Sequence, residues 1–144
     1  IAIADSKIRA ALADKCAAAG ISLIEARAAS VVQMDDVTIL EGACLSPFVT
    51  LTSNITIGRC FHANLYSYIE HDCRIGDFVT LAPGAKVNGN VRIMDHVYIG
   101  AGAVIRQGIT IGSGAIVGMG AVVTRDVPAG VTVVGNPARP MSKI

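Results

Sequence analysis

The central part of the chain repeats one hydrophobic pattern every six residues. From Ile39 to Val123 in steps of six, fourteen of the fifteen positions hold Ile, Leu or Val, and the remaining one is Ala63. The residue after each of these positions is often glycine or another small residue, and the fourth residue after it is usually small or apolar. The spacing never slips, so no insertion interrupts the repeat.

A six-residue period matches neither an amphipathic helix nor a long alternating strand. It predicts short strands joined by tight turns, with three units forming one triangular coil of eighteen residues. Stacked coils would bury the aliphatic side chains in a central column, with successive rungs about 4.8 Å apart. The fifteen repeats therefore predict an all-β solenoid of about five coils. A β-sandwich is the alternative, but its turn signals fall about every 8–12 residues and its period drifts.

The segment before the repeat has a different pattern. "IAIA" and "ISLI" predict strands, and residues 7–19 between them predict a helix that Asp5 or Ser6 caps. Because this is only part of an α/β unit and the chain starts in mid-pattern without methionine, we expect further residues upstream. We predict two domains, with residues 1–30 as the remnant of an α/β domain and residues 31–144 as the solenoid.

The segment after the repeat is interrupted by prolines. Beyond Val127 these are Pro128, Pro137 and Pro140. Because proline cannot donate to a strand ladder, the regular winding is predicted to end here. The tail is expected to cover the open edge of the last coil.

Composition narrows the possible functions. Hydrophobic residues make up 52% of the chain and charged ones 16%, and the net charge of +1 comes without Lys/Arg clusters, which argues against nucleic-acid binding. No apolar run reaches the ~20 residues of a membrane span. The four cysteines show no C-x-x-C spacing and are interpreted as small apolar side chains in a reducing cytoplasm. The apolar composition indicates an oligomer.

Glu70, His71 and Asp72 form a charged cluster inside this aliphatic pattern. Because Ile69 takes the inward position, the three side chains are predicted at or beside an exposed corner. A histidine beside a carboxylate suits general-base catalysis, because the carboxylate fixes the tautomer and makes the imidazole more basic. One coil later stands Gly89, whose N–H could face a developing oxyanion. Solvated turn residues and an ordinary corner glycine are the alternatives.

Three segments carry a resemblance to a known family. They are "NLYSYIEHDCRIGDFVTLAPGAKVNGNVRI", "VIRQGITIG" and "VTVVGNPARPM". Together with the repeat, they resemble the hexapeptide-repeat acyltransferases, which fold as left-handed parallel β-helices. The resemblance is to the branch of bacterial sugar acetyltransferases that modify bacillosamine, perosamine and sialic acid precursors. "IAIADSKIR" resembles the later part of that branch's N-terminal nucleotide-sugar-binding domain.

The resemblance implies a cytoplasmic, acetyl-CoA-dependent N-acetyltransferase of surface glycan or glycoprotein biosynthesis. Its acceptor would be a nucleotide-linked amino sugar, and it would be a homotrimer with active sites between subunits and no metal. Sugar O-acetylation is the alternative activity, and a non-catalytic β-helix scaffold is a further one.

The resemblance also implies roles for individual residues. His71 would take a proton from the sugar amine or hydroxyl, and Asp72 would raise its basicity. Asn64 and Glu70 would lie near the acceptor sugar. Ser6 would contact the nucleotide sugar, although Ala4 replaces the glycine that the branch usually has in this turn and a plain helix cap is the alternative.

The acetyl-CoA contacts implied by the resemblance involve four residues. The Gly89 N–H would hold the thioester oxygen, and Ala101 and Met119 would line the groove for the pantetheine arm. Some relatives have a second histidine that touches the acetyl carbonyl, nine residues after the base. Here that position is Thr80, whose hydroxyl can donate the same hydrogen bond.

Two other chemistries are disfavoured. A zinc site shared between subunits would need closely spaced histidines, but His62, His71 and His96 are nine and twenty-five residues apart, so no metal site is predicted. His62 and His96 are interpreted as polar corner residues. Cys73 takes an inward position, so direct transfer in a ternary complex is predicted rather than an acyl-enzyme.

Overall fold

The protein is described by a computed structural model that covers residues 1–141, so the last three residues of the predicted second domain lie outside the described part. Within that range one helix, α1 (Ser6–Ala18), precedes nineteen short strands. In chain order the strands are β1 (Ala26–Arg27), β2 (Val32–Gln33), β3 (Val37–Ile39), β4 (Cys44–Leu45), β5 (Thr50–Leu51), β6 (Ile55–Ile57), β7 (His62–Ala63), β8 (Tyr68–Ile69), β9 (Arg74–Ile75), β10 (Thr80–Leu81), β11 (Lys86–Val87), β12 (Arg92–Ile93), β13 (Tyr98–Ile99), β14 (Val104–Ile105), β15 (Thr110–Ile111), β16 (Ile116–Val117), β17 (Val122–Val123), β18 (Thr132–Val134) and β19 (Arg139–Pro140).

The strands stack into three sheets that form the sides of a triangular prism. Sheet A has the order β1-β4-β7-β10-β13-β16-β18-β19, sheet B β17-β14-β11-β8-β5-β2, and sheet C β15-β12-β9-β6-β3. From β1 to β17 the paired strands lie eighteen residues apart and run parallel, as when Leu45 pairs with Ala63 and Leu81 with Ile99. The predicted coil length and solenoid are confirmed.

The chain turns at three corners in every coil. Corner AB follows each strand of sheet A (residues 64–67 and their equivalents), corner BC follows each strand of sheet B (residues 70–73), and corner CA follows each strand of sheet C (residues 76–79). These corners position the polar side chains discussed below.

The repeated aliphatic positions form the core. Fourteen of the fifteen are buried, and Ile39 near the first coil is half-buried and packs against them. A fully buried aliphatic side chain contributes about 1.5–3 kcal/mol of transfer free energy, so this column is the main source of stability. It also fixes the pairing register, because a one-residue slip would turn the column outwards.

The winding begins earlier than the aliphatic repeat indicates. β1 pairs with β4 and β2 with β5, which extends the solenoid to about six coils. Arg27 and Gln33 take the register positions opposite Leu45 and Leu51. Both are exposed, and among residues 1–141 no coil stacks below this one, so polar side chains are tolerated there and the sequence signal disappears.

The N-terminal segment matches the prediction only in its helix. The strands predicted for "IAIA" and "ISLI" are wrong, because neither segment forms strand pairs. Asp5 caps α1, with Oδ1 accepting hydrogen bonds from the N–H groups of Lys7 and Ile8, and these bonds lower the pKa of the Asp5 carboxyl. The division of the chain into two domains at residue 30 stays a prediction.

Arg9 fastens α1 to the side of the prism. Its side chain is fully buried, and Nε donates to the Cys60 carbonyl at 2.9 Å while Nη2 donates to the Phe78 carbonyl at 2.6 Å and to Thr80 Oγ1 at 3.0 Å. Nη1 donates to the carbonyls of Ile3 and Ala4. Among residues 1–141 no carboxylate forms an ion pair with Arg9, and burial lowers the pKa of its guanidinium. Carbonyl dipoles therefore solvate this charge.

The C-terminal tail closes one edge of the prism. β18 adds to sheet A beside β16, and β19 reverses to pair antiparallel with β18. The tail therefore covers the end of sheet A, as predicted. Residues 1–141 contain no helical segment with the length and hydropathy of a membrane span.

Replacing Arg9 with methionine is expected to release α1 while leaving the solenoid wound. The buried carbonyls that Arg9 now satisfies would lose their donor, at a cost of about 3 kcal/mol in docking free energy. Hydrogen exchange should show faster exchange across residues 5–20 and unchanged exchange in the sheets. Arg92→Met, which removes an exposed arginine from sheet C, is the matched control. Unchanged exchange in α1 of the Arg9 variant would contradict the anchoring role.

Candidate active site

The backbone conformation at corner BC determines where the Asp72 carboxylate lies relative to His71. Asp72 has a φ of 62°, and the equivalent residues of the neighbouring coils, Asn54 and Asn90, have φ values of 54° and 56°. This left-handed conformation is accessible to Asn, Asp and Gly but strained for most other residues. The Asn90 N–H donates to the His71 carbonyl at 2.8 Å, so the corner is tied to the next coil.

His71 and Asp72 form a hydrogen-bonded pair. Nδ1 of His71 lies 2.8 Å from Oδ2 of Asp72. An ionised carboxylate can only accept, so Nδ1 carries the hydrogen and Nε2 presents its lone pair. The imidazole side chain is 63% exposed, so this lone pair is accessible to a substrate. The pair has the arrangement that a general base requires.

Asp72 is held in its ionised form. Its hydrogen bond with His71 is the main cause that lowers the pKa of the Asp72 carboxyl, and a second bond from Asn54 Nδ2 to Oδ1, at 2.6 Å, lowers it further. The two oxygens thus have separate donors, and Asn54 fixes the carboxylate plane from the coil below. A permanently charged acceptor stabilises an imidazolium when one forms.

Gly89 stands one coil above His71, directly against the imidazole ring. A Cβ built on Gly89 would stand 2.7 Å from both Cε1 and Nε2 of His71 and 3.2 Å from Nδ1. The φ of Gly89 is not positive, so glycine is needed here for space and not for backbone conformation. The predicted stacking of a glycine over the histidine at one corner is present.

The N–H of Gly89 has a partner within the protein. It donates to Oε2 of Glu70 at 3.2 Å, across one coil. A carboxylate oxygen therefore already accepts the hydrogen bond from this N–H, beside the His71 ring. The predicted contact between the Gly89 N–H and a thioester oxygen stays a prediction.

A cavity of about 330 Å³ opens at this corner. The lining consists of Glu70, His71, Gly89, Asn90, Gln107 and Gly108. Asn90, Gln107 and Gly108 were not predicted from the sequence. The eighteen-residue step points to Gln107, because it stands one coil beyond Gly89, but its amide carries no motif that would have singled it out.

Three other predicted site residues lie at corner AB, across sheet B from His71. Ala101 and Met119 are exposed and stand one coil apart, and Met119 is 82% exposed. Asn64 is half-buried, and its Nδ2 donates to the Leu81 carbonyl at 2.9 Å. In one chain, the predicted pantetheine groove is therefore separate from the histidine, and these assignments stay predictions.

Thr80 and Ser6 belong to the α1 side of the prism. Thr80 is buried in β10 on sheet A, where Oγ1 accepts from Arg9 and donates to the Ala4 carbonyl at 3.3 Å. Ser6 is the first residue of α1, directly after the cap Asp5. Neither is brought to His71 within one chain, and their predicted ligand contacts stay predictions.

The surroundings of His62, His96 and Cys73 indicate structural roles for these residues. The prediction of His62 as a corner residue is wrong: it lies in β7, and burial, followed by the charge of Arg9, lowers the pKa of its imidazole. His96 does lie at a corner, where it stacks on Phe78 at 5.1 Å between ring centroids. Cys73 is buried in the core, and burial raises the pKa of its thiol. Within residues 1–141 no group of three or more His, Cys, Asp or Glu could hold a metal ion.

Several known proteins are similar to this chain in fold and in sequence. The family described as bacterial transferase hexapeptide (six repeats) matches residues 90–125. GDP-perosamine N-acetyltransferase of Escherichia coli O157:H7 is 54% identical over 148 residues, covering 99% of this chain and 67% of that protein. The chain belongs to the hexapeptide-repeat sugar N-acetyltransferases.

Solved structures agree with this membership. WeeI from Acinetobacter baumannii AYE is 57% identical, with a TM-score of 0.96 over 98% of this chain and 69% of that one. PerB from Caulobacter crescentus, in complex with CoA and GDP-perosamine, is 34% identical, with a TM-score of 0.96 over 98% of this chain and 68% of that one. Membership in this family identifies the solenoid as the predicted left-handed parallel β-helix.

Replacing Gly89 with alanine is expected to push the imidazole away from Asp72 while the coil stays intact. The new methyl group would occupy the space of the ring, and the exposed His71 side chain can swing out cheaply. NMR of the His71 ring nitrogens should show loss of the Nδ1 hydrogen bond, with an unchanged melting temperature.

Gly114→Ala at corner CA is the contrasting variant. Its added methyl meets open space, but the φ of +66° makes alanine cost about 1 kcal/mol. This variant should lose stability and keep the His71 signal. An unaltered His71 ring in the Gly89 variant would contradict the close approach.

Proposed function

We propose that this protein transfers the acetyl group of acetyl-CoA to the amine of a nucleotide-activated sugar. The observation that carries the proposal is the His71–Asp72 pair packed against Gly89, because it combines an exposed basic nitrogen with a nearby backbone N–H. The relatives named above, which include an N-acetyltransferase and a protein with bound CoA and GDP-perosamine, support the substrate class.

His71 acts as the general base in this proposal. Nε2 takes a proton from the acceptor amine as the nitrogen attacks the thioester carbon, and the C–N bond forms. The same proton then passes to the sulfur when the C–S bond breaks, so the histidine returns to its starting state. Asp72 stays ionised throughout and stabilises the imidazolium between these steps.

Gly89 supplies the electrostatic part of the proposal. Its N–H lies beside the imidazole, so an oxygen bound there would sit next to the base that receives the proton. Backbone N–H groups stabilise a developing oxyanion without reorganisation, and removing one such donor typically costs about 10²–10³ in rate. The cavity at corner BC, which Gln107 also lines, gives the reacting groups space.

We further infer that the active site is shared between two subunits of a homotrimer. Asn64, Ala101 and Met119 stand at corner AB, whereas His71 and Gly89 stand at corner BC. A groove lined by both sets requires corner AB of one prism to face corner BC of the next, and a closed ring of three prisms satisfies this at each of its three interfaces. A cytoplasmic role in surface glycan biosynthesis fits the proposed substrates.

The decisive experiment measures thiol release from acetyl-CoA against a panel of nucleotide-linked amino sugars. We expect turnover with at least one amine acceptor and loss of about 10²–10⁴ in kcat/KM for His71→Ala, with the oligomer intact. His96→Ala is the control histidine. Turnover only on hydroxyl sugars would indicate an O-acetyltransferase. Survival of transfer within a few-fold in the His71 variant would remove the base from the mechanism.

The shared site can be tested by mixing two inactive variants. Ala101→Trp should block the groove at corner AB, and His71→Ala should remove the base at corner BC. Co-expressed chains that assemble at random would recover activity at about a quarter of the sites, since some interfaces combine two intact corners. Mixtures that stay inactive, although mixed oligomers are present by mass spectrometry, would show that one subunit supplies both corners.

A further inference from the structure

The carboxylate of Glu70 occupies the backbone donor that the proposed reaction needs. Gly89 N–H donates to Glu70 Oε2 at 3.2 Å. The same N–H is the proposed donor to the acyl oxygen of acetyl-CoA. One N–H serves a single acceptor well, so the acyl oxygen and the Glu70 carboxylate compete for it.

Charge favours Glu70 in this competition. A carboxylate oxygen is a stronger acceptor than the neutral carbonyl oxygen of a thioester, because charge-assisted hydrogen bonds are roughly twice as strong as neutral ones. Among residues 1–141, the Gly89 N–H is the one hydrogen-bond partner found for the Glu70 side chain, and no ion pair holds the carboxylate. Glu70 is therefore held at this position mainly by Gly89.

Glu70 has space to move when it is displaced. It borders the cavity at corner BC and also a second cavity of about 370 Å³ on the face of sheet B. Besides Glu70, the second cavity is lined by Phe48 and by five hydroxyl-bearing residues, which are Thr50, Thr52, Tyr66, Ser67 and Tyr68. The hydroxyls of Thr52, Ser67 and Tyr68 donate to protein oxygens. Among residues 1–141 no acceptor is found for the hydroxyls of Thr50 and Tyr66, so a carboxylate turned towards this cavity would meet two donors that can solvate its charge.

We propose that Glu70 is a positioning residue that covers the Gly89 N–H until the acyl oxygen of the cofactor displaces it. This inference rests on the proposed binding of acetyl-CoA at corner BC. The exchange breaks no covalent bond and moves no proton: the N–H changes acceptor from Glu70 Oε2 to the thioester oxygen. When the acyl group leaves, the carboxylate returns and covers the donor again.

The exchange predicts that Glu70 weakens the binding of acyl-CoA but not the binding of analogues that lack the acyl oxygen. Acetyl-CoA and S-ethyl-CoA differ at that oxygen, and S-ethyl-CoA has no carbonyl to compete for the N–H. In Glu70→Gln the side chain keeps its size but offers only a neutral acceptor. The affinity for acetyl-CoA relative to S-ethyl-CoA should rise about three- to tenfold, measured by calorimetry without sugar.

Comparing the two ligands separates the proposed exchange from a general effect of charge on CoA binding. Both carry the same phosphates, so loss of one negative charge near the site would strengthen both equally and leave the ratio unchanged. Glu41→Gln, at corner CA beside Arg59, is the charge-matched control and should leave the ratio within about twofold of the wild type. Glu70→Asp shortens the side chain by one methylene, so we expect its carboxylate to lose the contact with the N–H and to raise the ratio as Glu70→Gln does.

The outcomes separate this inference from the proposed function. An unchanged ratio in both Glu70 variants, with wild-type transfer to an amino sugar intact, would overturn the exchange alone. A raised ratio without transfer to any amine would support the exchange and overturn the proposed acceptor. If the wild type binds neither ligand, both proposals fail.

Discussion

The eighteen-residue stacking of the coils is the constraint on which the rest of the structure depends. The aliphatic side chains at every sixth position fill the centre of the prism, and a slip by one residue would expose the whole column. Backbone hydrogen bonds between coils, such as the bond from Asn90 N–H to the His71 carbonyl, fix the same register at the corners. Because both sets of contacts agree, a residue's position in the sequence determines which residues lie above and below it.

The candidate site uses this vertical register in two ways. Gly89 stands one coil above His71 and leaves room for its ring, while Asn54 stands one coil below Asp72 and holds its carboxylate. Asp72 connects these two contacts. Its left-handed backbone conformation turns its carboxylate back towards Nδ1 of His71. Three adjacent polar residues therefore have three different partners: Glu70 contacts a backbone N–H, His71 packs on a glycine, and Asp72 binds an amide.

The α1 side of the prism depends on a different interaction. The helix buries little apolar surface, and its one buried charged residue, Arg9, is surrounded by carbonyl oxygens and a hydroxyl. Such a group is costly to bury unless each donor is satisfied, so it fixes the position of the helix more strictly than an apolar contact would. This arrangement also explains why Thr80, which the resemblance associates with the cofactor, faces α1 within a single chain.

The sequence by itself determined the solenoid, the coil length, the helix α1, and the stacking of Gly89 with His71, whereas the structure chose Asp5 over Ser6 as the cap of that helix. These follow from the strict period, because residues that are eighteen apart in the sequence are neighbours in the structure. Only the tertiary structure decided that Glu70 covers the Gly89 N–H, that Arg9 is the anchor of α1, and that Arg27 and Gln33 belong to an additional coil. Side-chain rotamers choose among several partners within reach, and the end coil is free of the burial that produces the repeat, so neither leaves a periodic trace in the chain.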